Sequence, residues 1–253
     1  MKINRTLICG LHQILLSDNV RGAGKTLGTF KTEQNYIPNH ILGNFTPLPP
    51  VLTHEYMDNL IDYINSSSEI SQLIAVAIIH AQFEMIHPFK DGNGRIGRLL
   101  IPLFLYLKRE IPFPVFYISR FLSENDDTYK SCLFNISKKQ NSDQFISAWK
   151  AWLTFFFEGI ITESARHIAS AEKIIALHKE MIETVNRTDE IAIIDILFQK
   201  LTITPKEVIE ATSLNRSAVY RTLNMLSEKD FIIRTGSPRK SQYIFKKILS
   251  ALN

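Results

Sequence analysis

The run Ile96–Leu107 is apolar at almost every position and too short to span a bilayer, so it reads as a helix buried in protein. A second helical stretch precedes it. Across Glu69–Met85, Ile70, Ile74, Ala77, Ile78 and Ala81 recur at the spacing of one core-facing helix side. The segment between them cannot extend either helix. Residues 87–98 read His-Pro-Phe-Lys-Asp-Gly-Asn-Gly-Arg-Ile-Gly-Arg. Pro88 biases the residue before it away from helical geometry, and the glycines permit dihedrals that side chains forbid. The chain must therefore build a turn crowded with polar groups between two apolar helices.

The content of that turn suits an anion site with a base beside it. Gly92, Asn93 and Gly94 can point successive backbone N–H groups at one place, and the helix that follows aims its positive end at the same place. Arg95 and Arg98 are three residues apart and share a helix face, where both can hold phosphate oxygens. Asp91 is a hard oxygen ligand suited to Mg²⁺ on a polyphosphate. His87 titrates near neutrality when unperturbed and is the natural general base. His80, Glu84 and His87 stand at i, i+4 and i+7, but this is not the zinc-protease spacing, and His80 reads as a packed helix residue.

Residues 87–98 match the signature of the Fic family at every fixed position. Ala81-Gln82-Phe83-Glu84, Tyr117-Ile118-Ser119-Arg120, Asn125–Tyr129 and Trp152–Gly159 also resemble family segments, so that the likeness spans roughly residues 5–185. The resemblance implies a protein adenylyltransferase that moves AMP from ATP onto a Ser, Thr or Tyr hydroxyl of a protein, which could be the enzyme itself. It implies His87 as base, Asp91 holding Mg²⁺, and ATP contacts from Asp91, Gly92, Asn93, Gly94, Arg95, Ile96, Gly97 and Arg98, with Tyr129 walling the base pocket. Phe89 is expected to pack inward. Family members that transfer phosphate carry lysine where this chain has Gly94, which favours AMP. Residues 28–38 resemble the family's flap hairpin, which grips an extended target by backbone pairing, here with Thr32, Gln34 and Asn35 at the docking edge. Thr154–Gly159 formally fits the family's inhibitory pattern through Glu158, yet its phenylalanines read as core. No inhibitory helix is expected ahead of the first helix, which leaves room for a separate inhibitory protein.

Elsewhere, residues 5–17 and His54–Asn65 read as helices, with Pro47, Pro49 and Pro50 as an irregular connector. Gly24-Lys25-Thr26 imitates the end of a P-loop, but Asn19 stands where its first glycine belongs. Gln144 to about Val185 reads as one or two long helices, with Phe145, Trp149 and Trp152 in the core. Cys9 and Cys132 form no framework or metal spacing, so free thiols in a reducing compartment are expected. No signal peptide or membrane span is evident, which points to a cytoplasmic protein.

The pattern changes near Asp189. Ile191–Leu201 is an apolar helix, Thr204 caps a helix opened by Pro205, a turn leads into Ser217–Lys229, and Asp230–Arg234 and Gln242–Phe245 read as strands. Residues 200–253 carry ten Lys/Arg against four Asp/Glu, in a chain of net charge +4. This resembles a winged helix-turn-helix domain, in which Asn215, Arg216, Ser217, Tyr220 and Arg221 would face the major groove and Arg239 and Lys240 would reach phosphates. The expected fold is thus mostly α, with a Fic-type core and flap at 1–186 and a winged helix at 187–253. The winged helix could equally dock protein or support a homodimer. Two rival functions keep this fold: a nucleotide-sensing DNA-binding transcriptional regulator, and an enzyme that removes AMP.

Overall fold

The computed structural model describes residues 2–17, 26–38, 43–66, 70–139, 142–185, 187–212, 214–237 and 241–252. Contacts divide the chain into two compact units, Met1–Ser164 and Ala165–Asn253.

The first unit is helical. Helix α1 (Arg5–Leu16) starts at Asn4, whose side chain caps Leu7 N–H, and it buries Ile8, His12 and Leu16. Helix α2 (Pro50–Asn65) begins at Pro50, four residues ahead of the expected His54, because proline's fixed φ suits a first helical turn. Helices α3 (Gln72–Ile86) and α4 (Asn93–Leu107) pack against each other as the central hairpin. The single stripe expected on α3 is too narrow. Ala75, Val76, Ala77, Ile79, Ala81, Phe83 and Ile86 are all buried because neighbours cover most of the helix, whereas Ile70 precedes it and is 40% exposed. Then come α5 (Ser119–Glu124), α6 (Asp126–Lys138) and α7 (Phe145–Ile182), a single helix of 38 residues. Trp152 is fully buried and donates its indole N–H to Ala77 O at 3.0 Å. Phe145, expected in the core, is 36% exposed at the start of α7.

The expected flap hairpin reduces, among the described residues, to one antiparallel bridge between Ile37 and Phe45. Residues 31–35 form no strand; Thr32 and Glu33 are a bend, and Lys31 and Asn35 are hydrogen-bonded to the turn after α3. Most of the P-loop look-alike lies outside the described residues.

In the second unit, Leu177 and Met181 of α7 join the same core as Ile193, Ile194 and Leu197. Helix α8 (Thr188–Lys200) is followed by β1 (Thr202–Ile203), α9 (Pro205–Ala211), α10 (Arg216–Glu228), β2 (Ile233–Thr235), β3 (Gln242–Ile244) and α11 (Lys246–Leu252). Thr204 and Glu207 close a capping box on α9, and Asn215 caps α10 through Ala218 N–H. The sheet is antiparallel in the order β1-β3-β2, with Ile203 opposite Tyr243 and Arg234 also opposite Tyr243. Among the described residues, no helix is long and apolar enough to cross a membrane.

Candidate active site

His87 ends α3 as its C-cap, in the left-handed region at φ 51° and ψ 60°. A non-glycine residue holds that conformation only where its surroundings over-determine it. Here the restraint comes from a distant stretch of chain. Lys31 N–H donates to Pro88 O at 2.7 Å, and Lys31 Nζ donates to Ile86 O at 3.0 Å and to Asn35 Oδ1 at 2.9 Å. Asn35 Nδ2 then donates to His87 O at 3.2 Å and Phe89 O at 2.9 Å. Asn35 therefore braces the turn with its side-chain amide. Gln34 is also committed, donating to Pro47 O and Asn35 O, whereas Thr32 is exposed.

The turn is braced from inside as well. Asn93 is buried, accepts from Phe89 N–H at 2.8 Å and donates to Phe89 O at 2.7 Å, so only its backbone can serve an anion. Phe89 is fully buried and stacks on His12 with ring centroids 3.9 Å apart. His12 Nδ1 accepts from Gly28 N–H at 2.9 Å, which leaves Nε2 as the donor to Asp91 O at 3.0 Å. Gly92 adopts φ +79° as the N-cap of α4, a conformation that favours glycine. Asp91 Oδ1 accepts from Gly92 N–H at 2.7 Å.

The first N–H groups of α4 lack intrahelical acceptors and face the end of the helix, where an anion is stabilised. The Arg98 side chain folds back over this end. Its Nη1 lies 3.0 Å from where a Cβ on residue 94 would be, so Gly94 gives the guanidinium its space. Arg95 acts electrostatically on His12, and Arg98 on Glu84, His80 and Tyr129. Ile96 is fully buried in the core, and Gly97 faces Glu84, so the side-chain positions of both point inward.

His87 Nδ1 lies 3.3 Å from Glu84 O. A carbonyl only accepts, so Nδ1 carries the proton and Nε2 the lone pair. Burial pushes the imidazole down to about 4, with the Lys31 ammonium adding to the depression against the Glu84 carbonyl and Asp91. Burial likewise lowers Lys31 to about 8. At neutral pH His87 is therefore an uncharged ring with a basic Nε2.

The His80, Glu84, His87 triad does not assemble as a metal site. His80 donates from Nδ1 to Gly97 O at 3.1 Å and accepts at Nε2 from the Tyr129 hydroxyl at 3.0 Å. Burial lowers His80 to about 4. Among the described residues, no three His, Cys, Asp or Glu gather to hold a metal. A lone Asp91 carboxylate suits a Mg²⁺ that arrives on a nucleotide and takes its other ligands from phosphate and water. The Tyr129 hydroxyl is committed to His80, and its ring edges a recess shared with Arg98, Ser119 and Asp126. Cys9 and Cys132 are free thiols.

Sequence reasoning missed His12, Lys31 and Glu84 as parts of this site. His12 could have been found from its place between Ile8 and Leu16 on the buried side of α1. Glu84 stands out only by its helical spacing to His80 and His87, which suggests a metal pattern, and Lys31 carries no local signal.

In the second unit, Asn215, Arg216 and Ser217 are exposed at the start of α10. Arg221 pairs with the buried Glu190 carboxylate at 2.5 Å, and Tyr220 lies under the Arg216 guanidinium at 5.5 Å. Arg239 and Lys240 lie outside the described residues.

Residues 2–105 match the Fic/DOC family. The protein adenylyltransferase fic-1 of Caenorhabditis elegans is 36% identical over 80 residues, 31% of this chain and 15% of that protein. A probable protein adenylyltransferase of Aquifex aeolicus is 37% identical over 57 residues, 22% of this chain and 18% of that protein. The chain thus spans under a fifth of the length of either relative. A crystal structure of a Fic family protein from Desulfovibrio desulfuricans covers 96% of this chain and 69% of its own, at TM-score 0.51 and 20% identity. One of a Fic domain containing signaling protein from Bacteroides thetaiotaomicron covers 68% and 64%, at TM-score 0.54 and 21% identity. These two show a shared fold.

Proposed function

The chain carries a Fic/DOC family domain, and from that premise we propose that it is a protein adenylyltransferase that transfers AMP from ATP to a Ser, Thr or Tyr hydroxyl of a protein. The support lies in one feature above others: His87 is a neutral imidazole with its Nδ1 proton held by Glu84 O, leaving Nε2 as the base at the turn that leads into the α4 N-terminus. In the reaction His87 Nε2 takes the acceptor's hydroxyl proton. The freed oxygen bonds to the α-phosphorus, the bond from that phosphorus to the bridging oxygen breaks, and pyrophosphate leaves. The backbone of Gly92, Asn93 and Gly94, with Arg95 and Arg98, holds the departing charge, and positioning plus such stabilisation supplies most of the catalysis in this chemistry. Asp91 fits the role of Mg²⁺ ligand, and the ion supplies charge neutralisation on the phosphates when bound. Thr32, exposed on the segment that braces the turn, is the remaining side-chain contact for an extended target.

The test uses ATP labelled in turn on the α- and the γ-phosphate, with purified protein and Mg²⁺. Covalent label from the α-position alone is the expected result. Label from the γ-position alone would replace AMP transfer by phosphate transfer.

For the second unit we propose a winged helix that binds duplex DNA through Asn215, Arg216 and Ser217 at the start of α10. The order α8, β1, α9, α10, β2, β3 and the exposed, basic entry to α10 favour it. Retention on DNA that falls steeply with salt is expected, and salt-independent retention or none would leave protein docking as its role.

A further inference from the structure

Glu84 is a buried carboxyl that the proposed reaction leaves without a task. It lies on α3 one turn before His87 and is 5% exposed. Its Oε2 stands 3.6 Å from His87 Nδ1, and its Oε1 has no hydrogen-bond partner among the described residues. Burying a carboxyl with an unmatched oxygen costs free energy that an apolar residue of the same size would not, so its presence needs a reason.

We propose that Glu84 is a positioning residue for His87: its carboxylate stands behind Nδ1, holds the ring with Nε2 outward, and balances the positive charge that the imidazole acquires when it takes the acceptor's proton. The proposal deepens the adenylyltransferase reading and rests on it.

Three features of the site converge on this role. First, one residue faces Nδ1 twice: its backbone O accepts at 3.3 Å, and its carboxylate Oε2 stands at 3.6 Å, outside hydrogen-bond distance but close enough to act as a charge. A base that must gain charge inside protein benefits from a fixed counter-charge, and an opposite charge within about 4–6 Å raises a histidine by roughly one to three pKa units. Second, the packing has been cleared for the carboxyl. A Cβ on residue 97 would fall 2.3 Å from Glu84 Oε1, so glycine in the interior of α4 lets the carboxyl lie there. Third, the groups around Glu84 leave His87 as its near partner. Arg98 on α4 favours the ionised form at longer range, the Tyr129 hydroxyl on α6 is committed to His80, and Lys130 on α6 shares with Glu84 a small recess otherwise lined by Ile37, Phe45, Leu133 and Phe134.

Burial raises the Glu84 carboxyl to about 7, against the pull of Arg98. The counter-charge is therefore absent in mild acid and present above neutrality, and the test exploits this. Transfer by the wild-type protein is measured from pH 5.5 to 8.5 beside Glu84→Gln, which keeps the shape and loses the charge. The expected wild-type rate rises as pH passes about 7. Glu84→Gln lacks that rise and runs about tenfold slower at pH 8, with KM for ATP within twofold, following the size of a charge effect on a general base. A uniform loss at every pH, or full activity in Glu84→Gln, overturns the proposal.

A second readout does not depend on turnover. ¹⁵N spectra of the His87 ring should show, in wild type, a perturbation tied to ionisation near pH 7, and Glu84→Gln should lack it. If no protein transfers AMP but this perturbation is present, the reaction assignment fails while the Glu84–His87 coupling stands. A His87 ring that senses nothing near pH 7 in wild type overturns the coupling, including where Glu84→Gln does not fold.

Discussion

Replacing Gly97 by alanine adds one methyl group 2.3 Å from Glu84 Oε1 and 3.2 Å from Phe83 Cδ1, in a part of α4 that is buried. Two opposing terms set the outcome. Alanine in a helix interior is favoured over glycine by about 1 kcal/mol. Overpacking a well-filled site costs about 1–3 kcal/mol. The contact with Oε1 is too short to persist, so the carboxyl must swing away from α4. A net destabilisation of about 1 kcal/mol follows, together with a loss of activity larger than that figure implies, because the displaced carboxyl no longer stands behind His87. A double-mutant cycle isolates the cause. In a Glu84→Ala background the methyl group has room, and Gly97→Ala should then be neutral or stabilise by up to about 1 kcal/mol. The assay is urea unfolding of the four proteins at pH 7, read by far-ultraviolet circular dichroism. An equal cost of Gly97→Ala in both backgrounds would refute the packing of Glu84 on α4.

The neutral histidines set the acid limb of stability. Their folded values are depressed, His80 and His87 to about 4, so the stability they contribute is present above pH 6.5 and is lost as pH falls toward 4. Thermal melts should show that decline over that window, and flat stability from pH 6.5 to 4 would contradict burial of uncharged rings. Glu84 acts with the opposite sign: its folded value is raised, so its contribution is complete below 4.5 and lost as pH rises through about 7. Glu84→Gln should therefore gain stability relative to wild type between pH 5 and 8, and a constant difference would contradict this. His12→Phe keeps the stacking on Phe89 but loses the bonds to Asp91 O and Gly28 N–H. It should raise KM for ATP and cost about 1–3 kcal/mol in stability through unmatched buried groups, measured by steady-state kinetics and unfolding. Arg216→Ala should reduce the salt slope of DNA retention by about one, and an unchanged slope would remove that residue from the contact.

The sequence disclosed most where local rules are strong. Pro88 and Gly92 forbid helix continuation, and the apolar runs on either side demand burial, so the α3–α4 hairpin and its polar turn were readable from the residues. Thr204 and Pro205 likewise marked the start of α9. What stayed hidden depends on partners far along the chain. Lys31 looks like a solvated residue until Ile86 O and Pro88 O are found beside it. The Asn35 side-chain amide likewise finds its partners, His87 O and Phe89 O, far along the chain. Strand β1 has two residues and no periodicity to detect. The flap segment has strand-like residue content, yet among the described residues it pairs only at Ile37 and Phe45, while Lys31 N–H bonds to Pro88 O. The packing of Leu177 and Met181 with Ile193, Ile194 and Leu197 stayed hidden as well, because nothing local in the sequence ties those positions to the helix that follows.

The base proposed for AMP transfer is His87 Nε2. Intact mass spectrometry of the protein incubated with Mg²⁺ and ATP, alone and with a cell extract as acceptor source, beside His87→Ala matched for ATP binding, tests it directly. A mass gain of one AMP on the protein itself or on an extract protein is expected with wild type and is expected to be absent with His87→Ala. Equal AMP transfer by His87→Ala, or failure of the wild-type protein to bind ATP, would contradict it.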